Sequence, residues 1–263
     1  MFVETVDVDR WSYVVGIGIL LSIWGVFYYQ RSDLRRRMLV VSLGLMPASF
    51  LGQYFFLKDY WNPPAIGRLD LLGANLGSII DPLFAFAMAG IAVAAFPVLM
   101  KRHKRYSVSS KYKAPLWFGL AFIASEGGCV ITLTRVMHVN SILSSMLGFV
   151  LCAGVVVLVR RDLLGPSLVS GVASALALGG AEFLLSFVVP LYLSRYWLLY
   201  HTGLGLLVLD RVPLTEVLWG LCFGLAIGPL YDAMTGLTFH ASHASAHPPK
   251  RARVHGEIDP IYD

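Results

Sequence analysis

Charge is what this chain has least of. Only 14% of its 263 residues are Asp, Glu, Lys or Arg, while 57% are hydrophobic, and the mean hydropathy is +0.68. A soluble domain carries about 25% charged residues. The shortfall implies that most of this surface faces lipid rather than water. The net charge of +5 is therefore no signature of nucleic-acid binding, because the basic residues lie in short loops between apolar runs. Cysteine is also scarce. Cys129, Cys152 and Cys222 all fall inside apolar runs, which gives neither a disulfide framework nor a zinc spacing and leaves them as small packing residues. No metal site is expected either. His240, His243 and His247 are the nearest to one, and they sit in a polar tail among Ser and Ala.

What the chain has in quantity is long hydrophobic runs. A membrane-spanning helix needs about 20 mostly apolar residues, and seven segments qualify: 11–29, 38–57, 78–100, 115–136, 139–159, 166–193 and 213–232. The residues before the first run are acidic (Glu4, Asp7, Asp9) and no small-residue cleavage site follows it, which argues against a signal peptide. With the N-terminus outside, the inner segments 30–37, 101–114, 160–165 and the tail after 232 hold 15 of the 21 Lys and Arg residues. Basic residues stay on the cytoplasmic side, so the expected topology has the N-terminus outside and the C-terminus in the cytoplasm.

Four landmarks occur twice in the same order. Arg31-Ser32-Asp33-Leu34 is echoed by Arg160-Arg161-Asp162-Leu163, Tyr60-Trp61 by Tyr196-Trp197, Pro82-Leu83 by Pro213-Leu214, and Pro97 by Pro229. The offsets run from 129 to 136 residues. Two three-helix units in the same orientation need an odd linker helix between them. The expected fold is therefore an all-α integral membrane protein of seven helices in a 3+1+3 order. Its parts are a first repeat (1–100), a basic loop with linker helix 4 (101–137), a second repeat (138–232) and a polar tail (233–263). Repeats in membrane proteins commonly enclose the site between them. The outer loops 58–77 and 194–212 open on aromatic residues suited to the water–lipid interface and are expected to form interfacial or re-entrant segments. The prolines at 47, 97, 190 and 229 read as kinks or helix ends, and Gly179-Gly180 as a close helix contact.

An ionisable group inside a span costs about 2.5–3.5 kcal/mol on insertion scales, so each one is a functional candidate. Glu126 falls in span four, Glu182 in span six, Glu216 early in span seven and Asp81 at the start of span three. Asp81 precedes the repeated proline and fits an N-terminal helix cap. Glu216 lies deeper and is a candidate proton donor. Glu126 and Glu182 suit either a shared cavity or structural pairing with Arg135 or Gln53.

The stretch from Tyr196-Trp197 to Gly220 resembles the lycopene cyclase domain of the heterodimer-type bacterial and archaeal carotenoid cyclases. The shared features are an aromatic outer loop, a Gly/Leu segment and a Pro-x-Glu-Glu helix start. Here that start reads Pro213-Leu214-Thr215-Glu216, and the 3+1+3 order is similar to the fused form of the family. The resemblance implies a redox-neutral cyclisation of a polyene end group, in which an acid protonates the terminal double bond and the carbocation closes a ring. Glu216 falls on the second motif glutamate and Thr215 replaces the first. In the first repeat Pro82-Leu83-Phe84-Ala85 carries neither. The candidate catalytic set is Glu216, Asp81, Glu182 and Glu126. The candidate substrate-binding set is Trp197, Tyr200, Trp219 and Trp61, around a bound carotenoid or lipid.

Two alternatives remain open: a non-enzymatic pigment- or lipid-binding subunit of a membrane complex, with the C-terminal tail docking on a partner, and a small-solute transporter. Spans one and five contain no proline, which counts against the SWEET-type sugar transporters. Span seven contains no lysine, which excludes a retinal Schiff base. The expected location is the bilayer of a bacterial cytoplasmic membrane.

Overall fold

The computed structural model describes residues 2–64, 66–101, 103–105 and 116–240, with side chains within 9–64, 66–101 and 117–237. Most of loop 101–114 and the tail from 241 lie outside the described residues, and with them the tail docking segment, His243 and His247. The protein is mostly helical, and seven of its helical segments are long and apolar enough to cross a membrane. The long helices are α1 (Phe2–Gln30), α2 (Arg35–Asp59), α3 (Asp81–Leu99), α4 (Leu116–Arg135), α5 (Ser141–Val159) and α6 (Leu164–Val188). A short α7 (Tyr192–Tyr196) follows, then α8 (Leu214–Ile227) and α9 (Leu230–Thr235), which together form the seventh apolar segment.

The span ends differ from expectation for local reasons. The third helix starts at Asp81 because the residues before it form an antiparallel hairpin, β1 (Arg68–Leu71) with β2 (Ala74–Ser78). Its two-residue turn, Leu72-Gly73, has positive φ at both positions, the geometry that matches strand twist. The loop 58–77 thus carries a hairpin rather than a re-entrant segment. The sixth helix stops at Val188, ahead of Pro190, and the chain turns into α7. The stretch that follows α7 carries only a two-residue ladder, β4 (Leu207–Val208) with β5 (Val212–Pro213). On the other side of the bundle, strand β6 (Thr238–His240) pairs antiparallel with β3 (His103–Arg105).

Proline breaks the seventh span into two helices. Pro229 has no N–H for the carbonyl four residues back. The Ser167 hydroxyl donates to that carbonyl, Leu225 O, at 2.6 Å instead. Pro47 and Pro97 lie within α2 and α3.

Two short turns have nearly the same backbone. Arg31 (φ −127°, ψ 82°) precedes a 3₁₀ turn at Ser32–Leu34, and Arg160 (φ −128°, ψ 76°) precedes one at Arg161–Leu163. Each guanidinium forks onto the aspartate two residues on, Arg31 to Asp33 at 2.9 and 2.9 Å and Arg160 to Asp162 at 2.8 and 2.6 Å. Each also reaches a main-chain carbonyl near the end of a later helix, Pro97 O at 2.6 Å and Asp232 O at 3.2 Å. Leu34 and Leu163 anchor the turns in the core.

The core is built from helix pairs of matching kind: α2 packs along α3 and α6 along α8. The second pair comes close at Gly220 and Gly224 of α8, and also at Gly179 of α6, where a Cβ would lie 3.2 Å from Val217 Cγ2. A Cβ on Gly220 would come within 3.1 Å of Ala175 Cα, and one on Gly224 would overlap Ser170 O, whereas Gly180 has open space. Arg37 and Asp232 form a buried ion pair. Arg37 of α2 donates from Nη1 to Asp232 Oδ1 of α9 at 2.8 Å and from Nη2 to Gly228 O at 2.9 Å, with side chains 1% and 0% exposed.

Candidate functional site

A cavity of about 210 Å³ lies inside the bundle, and all four expected carboxyl residues, Asp81, Glu126, Glu182 and Glu216, line it. They come from four different helices, so the convergence is a property of the fold and not of one sequence motif. The rest of the wall is largely apolar. On one side Trp219 is the centre of an aromatic group, with ring centroids 6.0 Å from Phe84, 5.9 Å from Phe149 and 5.1 Å from Phe223.

Each carboxyl group has its own setting. Glu216 lies in the first turn of α8, where its Oε1 accepts from Tyr60 OH at 2.5 Å. The same phenol is 3.4 Å from Thr215 Oγ1. Tyr60 follows the last residue of α2 and is held by the backbone: Trp61 bridges antiparallel to Trp197, Leu198 N donates to Tyr60 O at 2.9 Å, and Asn62 N donates to Tyr196 O at 3.1 Å.

Asp81 does not cap α3 through that helix's own amides. Its Oδ2 accepts from Ser78 N and its Oδ1 from Tyr13 OH, both at 2.6 Å. Gly77, at φ +93°, packs against this carboxylate so closely that a Cβ would overlap it. Glu126 accepts from Ser145 Oγ at 3.3 Å, and Ser145 in turn accepts from Trp219 Nε1 at 3.1 Å. Glu182 is the least satisfied of the four, since its Oε2 is buried without a hydrogen-bond partner among the described residues. Glu182 and Glu216 are close enough to interact electrostatically.

Tyr192 of α7 also lines the cavity, and its buried hydroxyl has no partner among the described residues. Burial, followed by the nearby Tyr196 phenol and Asp9 carboxylate, pushes the Tyr192 phenol well above the ordinary tyrosine range. It therefore stays a neutral donor facing the cavity. The wall thus offers four carboxyl groups and three phenols (Tyr13, Tyr60, Tyr192) around an apolar space.

Of the expected aromatic contacts, Trp61 and Trp219 line the cavity and Trp197 and Tyr200 do not. Trp197 is tied by its backbone to Trp61, which turns its ring into the core, and Tyr200 rests edge-on against that ring. The suggested pairing of a span glutamate with Arg135 is not formed. Arg135 donates to Tyr54 OH at 2.8 Å and lies over the Tyr54 and Phe55 rings.

Sequence reasoning missed Tyr13, Ser145 and Tyr192 and read Tyr60 only as an interfacial aromatic. The repeated Tyr-Trp pair was the one signal for Tyr60. No local pattern marks the other three. No group of His, Cys, Asp and Glu arranged for a metal occurs among the described residues. Searches against family models, curated proteins and solved structures found no match.

Proposed function

We propose that this protein binds the end group of a carotenoid or related isoprenoid in the cavity and cyclises it by acid catalysis, in the manner of the lycopene cyclase domain it resembles. The single observation that carries this reading is the meeting of four carboxyl groups from four helices at one apolar, aromatic-walled cavity. The scaffold belongs to the same proposal: two parallel three-helix repeats joined by α4, with the N-terminus outside and the C-terminus in the cytoplasm of a bacterial inner membrane. The two matching Arg-x-Asp-Leu turns and the matching helix pairs α2–α3 and α6–α8 support that description.

In this chemistry the Glu216 carboxyl donates its proton to the terminal double bond. Tyr60 OH then donates to the carboxylate that remains, at the position where it already bonds Oε1. The carbocation is attacked by the next double bond along the chain, which closes the ring. A proton leaves the ring carbon next to the new cation, and its bonding pair forms the product double bond. Glu182 Oε2, without a partner, accepts that proton as a carboxylate and returns it to the neighbouring Glu216 carboxylate, which restores the acid for the next turnover. The product is an isomer of the substrate, so no oxidant or reductant is needed. The Trp219 and Phe84 faces favour a cation lodged against them, and the apolar wall keeps water from trapping it.

Expression in a lycopene-producing bacterial host tests the reading. Cyclised pigment that disappears with Glu216→Gln is the expected result. A second reading is a pigment-binding subunit without turnover, favoured by Thr215 standing in place of the first motif glutamate. It predicts unchanged lycopene that co-purifies with the protein. Uptake of a labelled solute into proteoliposomes would instead support a transporter.

A further inference from the structure

The cavity is too small for a whole carotenoid. Pockets that take drug-sized ligands measure roughly 300–1,000 Å³, against about 210 Å³ here. If an end group fills it, the remaining apolar chain must leave the bundle through a wall. That argument rests on the isoprenoid reading, but the wall in question is visible without it.

Helix α4 packs along α5 and touches α2 at few points. On the α2 side of this seam stands Leu51, which lines the cavity yet is 43% exposed on the bundle surface. Opposite it on α4 is Gly127, also in the cavity wall. A Cβ built on Gly127 would meet Leu51 Cδ2 at 3.3 Å, so at this seam the Leu51 side chain rests directly on bare backbone. Next to that glycine is Glu126, a cavity carboxyl. Helices α3 and α8 are covered by α2, α6 and α5. At the α1–α6 seam Gly16 and Leu185 also line the cavity, a Cβ on Gly16 meeting Leu185 Cδ2 at 3.6 Å, but there the leucine is less exposed than Leu51.

We propose that the α2–α4 seam is a lateral binding cleft for a linear apolar chain, with Leu51 on Gly127 as its gate, through which a lipid-dissolved ligand reaches the cavity from the bilayer. Leucine suits the gate: it has no polar atom to desolvate, and its side chain turns by rotamer change. Glycine opposite leaves the width that a Cβ would remove.

The test uses the full chain in liposomes and a lipid-soluble carbodiimide, dicyclohexylcarbodiimide. This reagent adds across a protonated carboxyl group and leaves an N-acylurea that peptide mass mapping locates. The readout is the rate of labelling at Glu216, deep in the cavity. The expected result is labelling by this reagent that far outpaces a water-soluble quaternary-ammonium carbodiimide. Gly127→Leu should slow it about tenfold, equivalent to roughly 1.4 kcal/mol on the entry barrier, and Leu51→Ala should speed it.

Equal rates in the three proteins would overturn the cleft. Changes of the same sign in both variants would also overturn it, because general loosening raises both. Failure of the pigment test alone, with the labelling pattern as expected, overturns the cyclase reading and leaves the cleft standing.

Discussion

Replacing Asp232 by alanine takes the carboxylate away from a guanidinium that is 1% exposed. Arg37 would keep its bond to Gly228 O and its position 5.8 Å over the Tyr231 ring, but neither supplies a counter-charge. Removing one partner of a buried pair costs about 3–5 kcal/mol, whereas exchanging both for apolar residues of similar size is often neutral or stabilising. With total stabilities of about 5–15 kcal/mol, the single substitution removes about a fifth or more of the whole. The pair also ties α2 to the broken end of the seventh span, so Asp232→Ala should loosen α9 first. The measurement is reversible unfolding in mixed micelles, titrated with SDS, for wild type, Asp232→Ala and the double variant Arg37→Met/Asp232→Leu. The order expected is double variant near wild type and single variant far below both. A single variant within about 0.5 kcal/mol of wild type, the range of ordinary surface substitutions, would refute the claim that the pair is desolvated. A double variant as unstable as the single would show that the carboxylate acts through packing and not charge.

Three further outcomes follow from the site and its rim. Gly77→Ala forces a Cβ into the Asp81 carboxylate at a backbone φ of +93°, a strain of about 1–3 kcal/mol, and should lower the unfolding midpoint and break the Tyr13–Asp81 bond, seen as a shifted tyrosine band in ultraviolet difference spectra. Ser145→Ala leaves Trp219 Nε1 and Glu126 Oε1 each without this partner, so a loss of about 1–3 kcal/mol is expected, with a change in tryptophan emission that Ser145→Thr restores. At the rim, Tyr196 donates to Asp9 at 2.7 Å; burial and then this bond push its phenol from 10.0 up to about 12. Because the raised value favours the neutral form in the folded state, its contribution is complete below pH 10 and lost between pH 10 and about 12. Tyr196→Phe should flatten that part of the stability profile, measured by thermal unfolding across the alkaline range.

The seven helical spans were readable because composition alone sets them: a run of apolar residues long enough for a bilayer has few other uses. Span ends were less readable. The start of α3 depends on a hairpin whose turn uses Leu72 at positive φ, a choice no turn signature announces. The carboxyl residues were visible one by one, since a charge in an apolar run stands out. Their meeting at one cavity was not, because it depends on how α3, α4, α6 and α8 are rotated about their axes. Tyr60 and Trp197 show the limit from both sides. Both read as interfacial aromatics, yet the backbone bridge at Trp61 puts the first at the cavity and the second in the core.

That bridge has a further meaning for how the site tolerates change. The bonds that place Tyr60 beside Glu216 run from Leu198 N and Asn62 N to main-chain carbonyls, so they are indifferent to which side chains stand at 61, 62, 197 or 198. Drift at these positions leaves the clamp intact, and only proline at 62 or 198, which lacks the N–H, removes it. The phenol that serves the candidate acid is therefore insured against most substitutions in the loops that hold it, while the identity of the phenol itself has no such protection.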